Sequence, residues 1–215
     1  MEKFQCKKCG LCCKTYGVTE GEKFLSIYEW EIETFKKCAK EKRIIINIKP
    51  VVLFFDTKHK LLFATGYGLF QTPCPFLVNN RCSIYEKRPL SCKLFPMRAY
   101  PLTLNKILKN DVLDSSCPNY NANKFLKSIQ DLDPDIKVNV CKSVFGPCCD
   151  SAYQVESICL FIECKLSKIK DHIQLVIMDG CIDSYEILPF FEYLIKIGNI
   201  TIKEKDKLYS KFKNF

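Results

Sequence analysis

Cys6, Cys9, Cys12 and Cys13 fall within the eight residues CKKCGLCC. The two-residue spacing of C-x2-C lets both thiolates reach one metal centre from a single turn, with backbone N–H groups turned toward the sulfurs. Three cysteines at successive spacings of this kind go beyond the pair that a zinc knuckle needs. They resemble the first three ligands of an iron–sulfur run. Cys12 and Cys13 are neighbours whose side chains diverge, so they serve different centres or only one of them ligates.

Further cysteines follow in turn-forming company. Cys74 lies between Pro73 and Pro75, Cys82 and Cys92 bracket SIYEKRPLS, and Cys117 precedes Pro118. A Cys-Pro step is also found at the remote ligand of cluster-binding runs. Residues 1–120 thus offer eight candidate metal ligands: Cys6, Cys9, Cys12, Cys13, Cys74, Cys82, Cys92 and Cys117. That number suits two four-thiolate centres, or one cluster plus a zinc. Soft thiolate donors favour zinc or iron–sulfur over the hard cations. The expected cofactor is a [4Fe–4S] cluster, with zinc as the alternative.

These residues carry a family resemblance. CKKCGLCC followed by CPFLVNNRCSIYEKRPLSCKLFP resembles the YkgJ-like cysteine-cluster family, a zinc- or iron-chelating domain with the pattern CxxCxxCC, CPFL, C-x-I-Y, R-P-x-x-C and F-P. The matching positions are Cys6, Cys9, Cys12 and Cys13, then Cys74 to Leu77, Cys82 with Ile84 and Tyr85, Arg88, Pro89 and Cys92, and Phe95 with Pro96. A later Cys-Pro of the family matches Cys117 and Pro118. The resemblance covers roughly residues 1–120 and implies a metal centre more firmly than a reaction.

The elements that must position these thiols read as α+β. A small cysteine-rich, metal-stabilised core with a helix and β-hairpin is expected over 1–125, and a mostly helical extension over 126–215. Thr19 and Glu22 form a capping box, and Tyr28, Ile32, Phe35 and Ala39 follow at helical spacing, which predicts a helix over about 21–42. VVLFFD and KLLFATG flank a turn and predict a hairpin. The stretch from Gln71 to Pro96 predicts tight turns with one short helix. RAYPLTLNKIL reads as a strand or an edge. The acidic DLDPD at 131–135 reads as a boundary region. Asp150 is expected to cap a helix carrying Val155, Ile158, Ile162 and Leu166. HIQLVIMDG is ambiguous between helix and buried strand. YEILPFFEYLIKIG predicts a helix ending at Gly198, and Thr201 with Glu204 caps a final one.

Remaining candidates carry less chemistry. Arg88 can offset thiolate charge. Tyr85 and Tyr100 read as buried, hydrogen-bonded tyrosines. His59 falls in the hairpin turn and reads as a surface residue, far in sequence from His172. Cys148 and Cys149 form a second vicinal pair near Cys141, Cys159 and Cys164, a further candidate site, although the last two read as buried apolar thiols.

Composition narrows the class. The chain has 215 residues, 47% of them apolar, which excludes a disordered protein. No apolar run is long enough to cross a membrane, and the opening residues lack the apolar core of a signal peptide. A cytoplasmic protein follows, in which 15 cysteines are metal ligands or redox groups rather than a disulfide frame. Lys and Arg exceed Asp and Glu by 20 to 11 over residues 1–120, which carries the whole net charge of +9. Compensation of thiolate charge explains this better than a nucleic-acid face, since no nucleic-acid-binding signature accompanies it. The expected partner is a redox or protein partner. No catalytic fingerprint for nucleotide binding or acyl transfer occurs.

Overall fold

The computed structural model describes residues 3–15, 24–97, 117–176 and 186–213. The chain divides into two compact units, and neither is one continuous stretch. Met1–Lys23 joins Thr72–Leu160, and Phe24–Gln71 joins Phe161–Phe215. The boundary expected at 125 therefore falls inside the first unit.

The second unit is built on a five-stranded sheet. β2 (Ile48–Asp56) and β3 (Leu61–Leu69) form the antiparallel hairpin that their apolar runs predict. β1 (Leu25–Ile27) pairs with β3 antiparallel, β7 (Ile187–Pro189) pairs with β3 parallel, and β6 (Ile173–Val176) pairs with β2 antiparallel. HIQLVIMDG therefore contains a strand as far as Val176, and its last four residues lie outside the described ones.

The first helix of this unit begins later than its apolar stripe suggests. α2 spans Glu29–Lys42, and Tyr28 caps it, its backbone N–H donating to Glu31 Oε2 at 3.0 Å. Residues 25–27 are diverted into β1, where pairing with β3 satisfies their backbone groups. The Thr19 capping box lies outside the described residues. The buried face of α2 is Trp30, Phe35, Cys38 and Ala39, wider than the expected stripe.

YEILPFFEYLIKIG also splits. Pro189 ends β7, and α7 runs Phe190–Lys196, since Pro189 has no N–H to donate within a helix. Gly198 follows the helix at φ +73°, the left-handed conformation that suits a residue without Cβ. The last helix, α8 (Ile202–Lys213), has the expected cap. Thr201 N–H donates to Glu204 Oε2 at 2.7 Å, and Glu204 N–H donates to Thr201 Oγ1 at 3.2 Å.

The first unit has little sheet. α1 (Leu11–Thr15) carries Cys12 and Cys13. β4 (Leu77–Val78) and β5 (Arg81–Cys82) form a minimal hairpin, turned by Asn79 and Asn80 at φ 48° and 59°. Positive φ at both central residues is the type I′ pattern that matches strand twist. A single 3-10 turn at Tyr85–Lys87 leads to α3 (Leu90–Lys93). The expected series of turns with one short helix is thus present. RAYPLTLNKIL and Tyr100 lie outside the described residues.

Three helices complete the first unit: α4 (Ala122–Ile129), α5 (Pro134–Phe145) and the part up to Leu160 of α6 (Pro147–Ser167). DLDPD is a helix start rather than a linker. Asp133 caps α5 by accepting from Asp135 N–H at 2.9 Å, with Pro134 at the first helical position. α6 starts at Pro147, before Asp150, whose N–H donates to Gly146 O at 3.1 Å. Phe145 contacts Phe4, Tyr120 and Phe125 at ring-centroid distances of 5.8, 4.9 and 5.3 Å, and Phe4 N–H donates to Val144 O at 2.8 Å. This aromatic cluster ties the opening residues to chain beyond 125.

Candidate metal centre

The first cysteine run is docked onto the second segment by its backbone. Gly10 has φ +74°, and a Cβ there would lie 2.4 Å from Asn80 O and 2.8 Å from Leu77 Cδ1. Only glycine lets the run approach the β4–β5 hairpin this closely. Cys13 N–H donates to Gly10 O at 3.1 Å, and Cys74 N–H donates to Cys13 O at 2.8 Å. The main chains carrying Cys13 and Cys74 are thus in direct contact, although sixty residues separate them in sequence.

The thiols form two neighbourhoods that share Cys12. Cys13 contacts the thiols of Cys12, Cys74 and Cys82. Cys117, behind its Cys-Pro step, lies within electrostatic reach of Cys9, Cys6 and Cys12. Asn119 Nδ2 donates to Cys9 Sγ at 3.6 Å, and Lys8 N–H donates to Cys6 Sγ at 3.4 Å. Cys6 and Cys9 are exposed, Cys74 and Cys117 are buried, and Cys12, Cys13, Cys82 and Cys92 are half-buried. Cys92 stands on α3, its N–H donating to Pro89 O at 2.9 Å.

Crowding makes ionisation of these thiols mutually costly. Contact with the Cys13 thiol, then burial, pushes Cys12 well above the ordinary thiol range, with Arg88 opposing. Cys13 is lowered by Cys12 but raised more by Cys74, Cys82 and burial together. Burial raises Cys117, and the neighbouring Cys9, Cys6 and Cys12 add to it. Several thiolates in so small a space need a cation to neutralise them, and the donor set, sulfur throughout, suits zinc or iron.

Arg88 and Lys8 supply fixed positive charge. Both lie over the Tyr85 ring, at 3.6 and 4.2 Å from its centroid, and Arg88 Nε donates to Tyr85 O at 2.8 Å. Tyr85 is raised by burial and by its contact with Cys6. Arg88 is thus held by its backbone bond and ring contact, with its charge felt at Cys12 and Cys148.

Of the second vicinal pair, Cys148 is the member that lies near the first cysteine run. Its thiol donates to Phe95 O at 3.3 Å, and burial pushes it up to about 11, with Cys6 and Cys117 adding and Arg88 opposing. Its partner Cys149 and nearby Cys141 are instead buried core thiols, raised by burial to about 12 and about 11. Cys159 is half-buried and Cys164 exposed, so neither is the fully buried thiol expected there. Helical pitch puts opposite neighbours of a vicinal pair in different surroundings, which is the signal that separates Cys148 from Cys149.

Histidine placement was also missed. Among the described residues, the set of three ligating atoms that lies mutually within 4.8 Å belongs to Asp56, His59 and His172 of the second unit, and no three of the described thiols come that close to one another. His59 sits in the hairpin turn as expected, but its ring is turned onto Asp56.

A thiol-rich α+β chain with one cysteine run docked on a second cysteine-bearing segment belongs among metal-chelating proteins. The chain is a member of the CxxCxxCC family, a "putative zinc- or iron-chelating domain", which matches residues 5–120. No curated protein and no solved structure matches the chain. No helix among the described residues is long and apolar enough to cross a membrane.

Proposed function

We propose that the first unit carries two thiolate centres, with Cys6, Cys9, Cys12 and Cys117 holding a [4Fe–4S] cluster and Cys13, Cys74, Cys82 and Cys92 holding a single zinc-class ion. The observation that supports this partition is the difference in neighbours across the vicinal pair, whose two thiols are themselves in contact. Cys117 faces the Cys6, Cys9 and Cys12 side, whereas Cys13 contacts Cys74 and Cys82. The first set has the three x2-spaced cysteines and remote Cys-Pro of a cluster-binding run. The second is an all-thiolate set of four, the donor number of one tetrahedral ion, whose sulfurs would draw together to hold it. Cys92 enters it through its place in the R-P-x-x-C motif.

The role follows from exposure. Cys6 and Cys9 lie at the surface, so a cluster there would exchange electrons with a partner in contact. Lys8 and Arg88 beside it would lower the cost of the added negative charge. The proposed activity is therefore redox, alone or in service of modifying a macromolecule, in the cytoplasm. Bound, the cluster supplies one-electron chemistry. The chain's own residues position it and set its electrostatics.

The test is protein made and purified without oxygen, with iron and sulfide supplied. Wild type is expected to carry iron, acid-labile sulfide and zinc together. Cys117→Ala should lose iron and sulfide and keep zinc, and Cys82→Ala should lose zinc first. Zinc with no iron and no sulfide would overturn the cluster. The protein would then be a zinc-stabilised adaptor for a protein or nucleic-acid partner.

A further inference from the structure

We infer that Asp56, His59 and His172 form a further, non-thiolate metal site that takes a divalent transition ion of the zinc class through nitrogen and oxygen. The chain has two histidines, and both converge on one carboxylate. His59 Nδ1 lies 2.6 Å from Asp56 Oδ2, and His172 Nδ1 lies 2.9 Å from Asp56 Oδ1.

The sheet creates this meeting. Asp56 ends β2, and the turn that follows brings His59 back onto it. β6 pairs beside β2 with Asp56 opposite Ile173, which places His172 next to the carboxylate. Thr57 fixes that approach, since its N–H and Oγ1 donate to His172 O at 2.8 and 3.0 Å. From the other side Tyr193 on α7 donates its hydroxyl to Asp56 Oδ2 at 2.7 Å while its ring stacks on Phe63 at 3.8 Å. Lys58 N–H and His59 N–H complete the shell on Oδ1 at 2.9 and 3.0 Å.

Two features point to an ion rather than to a buried carboxylate alone. Asp56 is fully buried and its position is over-determined by five donors, the preorganisation that a ligand carboxylate needs. Its two imidazoles are not buried with it: their side chains are 33% and 22% exposed, which leaves an entry path and room for water as a further ligand. Zinc bonds of 2.0–2.1 Å to N and O imply ligand separations of about 3.3 Å in a tetrahedron. The two Nδ1 atoms stand 2.6 and 2.9 Å from different oxygens of Asp56, and the three ligating atoms lie within 4.8 Å of one another, so a tetrahedron asks for shifts on the order of 1 Å. Binding displaces the Nδ1 proton of each imidazole, to Nε2 of the same ring or to water, which frees the Nδ1 lone pair, and Asp56 binds as the carboxylate. Two histidines, a carboxylate and water match zinc and other borderline divalent ions, which the all-sulfur donors of the first unit do not resemble.

The test uses the full chain, whose two histidines give only two imidazole Cε1–H signals. Zinc is added stepwise after the thiolate centres are loaded. One further equivalent is expected to shift both imidazole signals together. Cobalt(II) used in its place should bind with d–d bands and without added sulfur-to-metal charge transfer. His59→Gln, at a partly exposed turn position, should weaken this equivalent at least tenfold and leave the thiolate charge transfer at wild-type intensity. Failure of the thiolate centres would appear separately, as missing charge transfer. Imidazole signals that do not move with zinc, or uptake equal in wild type and His59→Gln, would reduce the triad to a hydrogen-bonded carboxylate and overturn the inference.

Discussion

Replacing Cys82 with Ser is expected to unfold part of the first unit and leave the second folded. Between Thr72 and Met97 regular structure is limited to two two-residue strands, a 3-10 turn of three residues and a helix of four. Isolated hairpins and helices this short are not stable in water. Phe76, Ile84, Leu90, Leu94 and Met97 are buried, but they hang on few ladder hydrogen bonds. A structural metal contributes on the order of 10–16 kcal/mol of folding free energy, and a whole domain is typically stable by only about 5–15 kcal/mol. Losing the ion therefore removes more than this segment holds in reserve. Hydrogen exchange reads the outcome residue by residue. The amides of Leu77, Ser83 and Leu94, which donate to Cys74 O, Phe76 O and Leu90 O, should lose protection in Cys82→Ser and on chelation. The amides of the β2–β3 ladder serve as internal control and should keep theirs. Wild-type protection at Leu77 and Ser83 in the metal-free variant would refute the reasoning, because the segment would then fold without a staple.

Gly10→Ala should lower the melting temperature and raise sensitivity to chelators, since its Cβ would lie 2.4 Å from Asn80 O at φ +74°; at least about 1 kcal/mol is expected from the left-handed backbone alone. Wild-type behaviour would mean the run does not dock on the hairpin. Burial pushes Glu29 from 4.5 to about 7, against the lowering hydrogen bonds from Tyr209 and Phe191 N–H. The folded state then holds a proton that the unfolded state releases, so the stability contributed by Glu29 is fullest below pH 4.5 and falls as pH rises toward 7, by up to roughly 3 kcal/mol. Denaturant titrations across that window should show the slope in wild type and lose it in Glu29→Gln. A fragment of residues 1–125 deprives Phe4, Tyr120 and Phe125 of Phe145, and metal analysis after gel filtration should find less than the full-chain content. Cys148→Ser should keep the metal content of wild type, and loss of an equivalent would make Cys148 a ligand.

Local features were legible in the residues. The Thr201–Glu204 capping box, the β2–β3 hairpin and the left-handed Gly198 depend on contacts within a few positions, and each formed as its residue types require. The cysteine motif was legible for the same reason, since thiol spacing is itself the signal. Elements whose ends depend on distant partners were not. Leu25–Ile27 became a strand because β3 offers its edge there, and Tyr28 took over as cap. Pro189 divided an apolar run into β7 and α7 because β3 pairs with its first half.

The residues alone determined that this chain gathers thiols for a metal, because ligand type and x2 spacing are properties of a single turn. The tertiary structure alone decided which thiols face which. Backbone bonds from Cys74 to Cys13 and the close approach at Gly10 join segments that no local pattern links. It also decided that His59 and His172 share Asp56, through the register of β6 against β2. Strand register between distant segments is fixed by the packing of the whole sheet, and no window of sequence contains it.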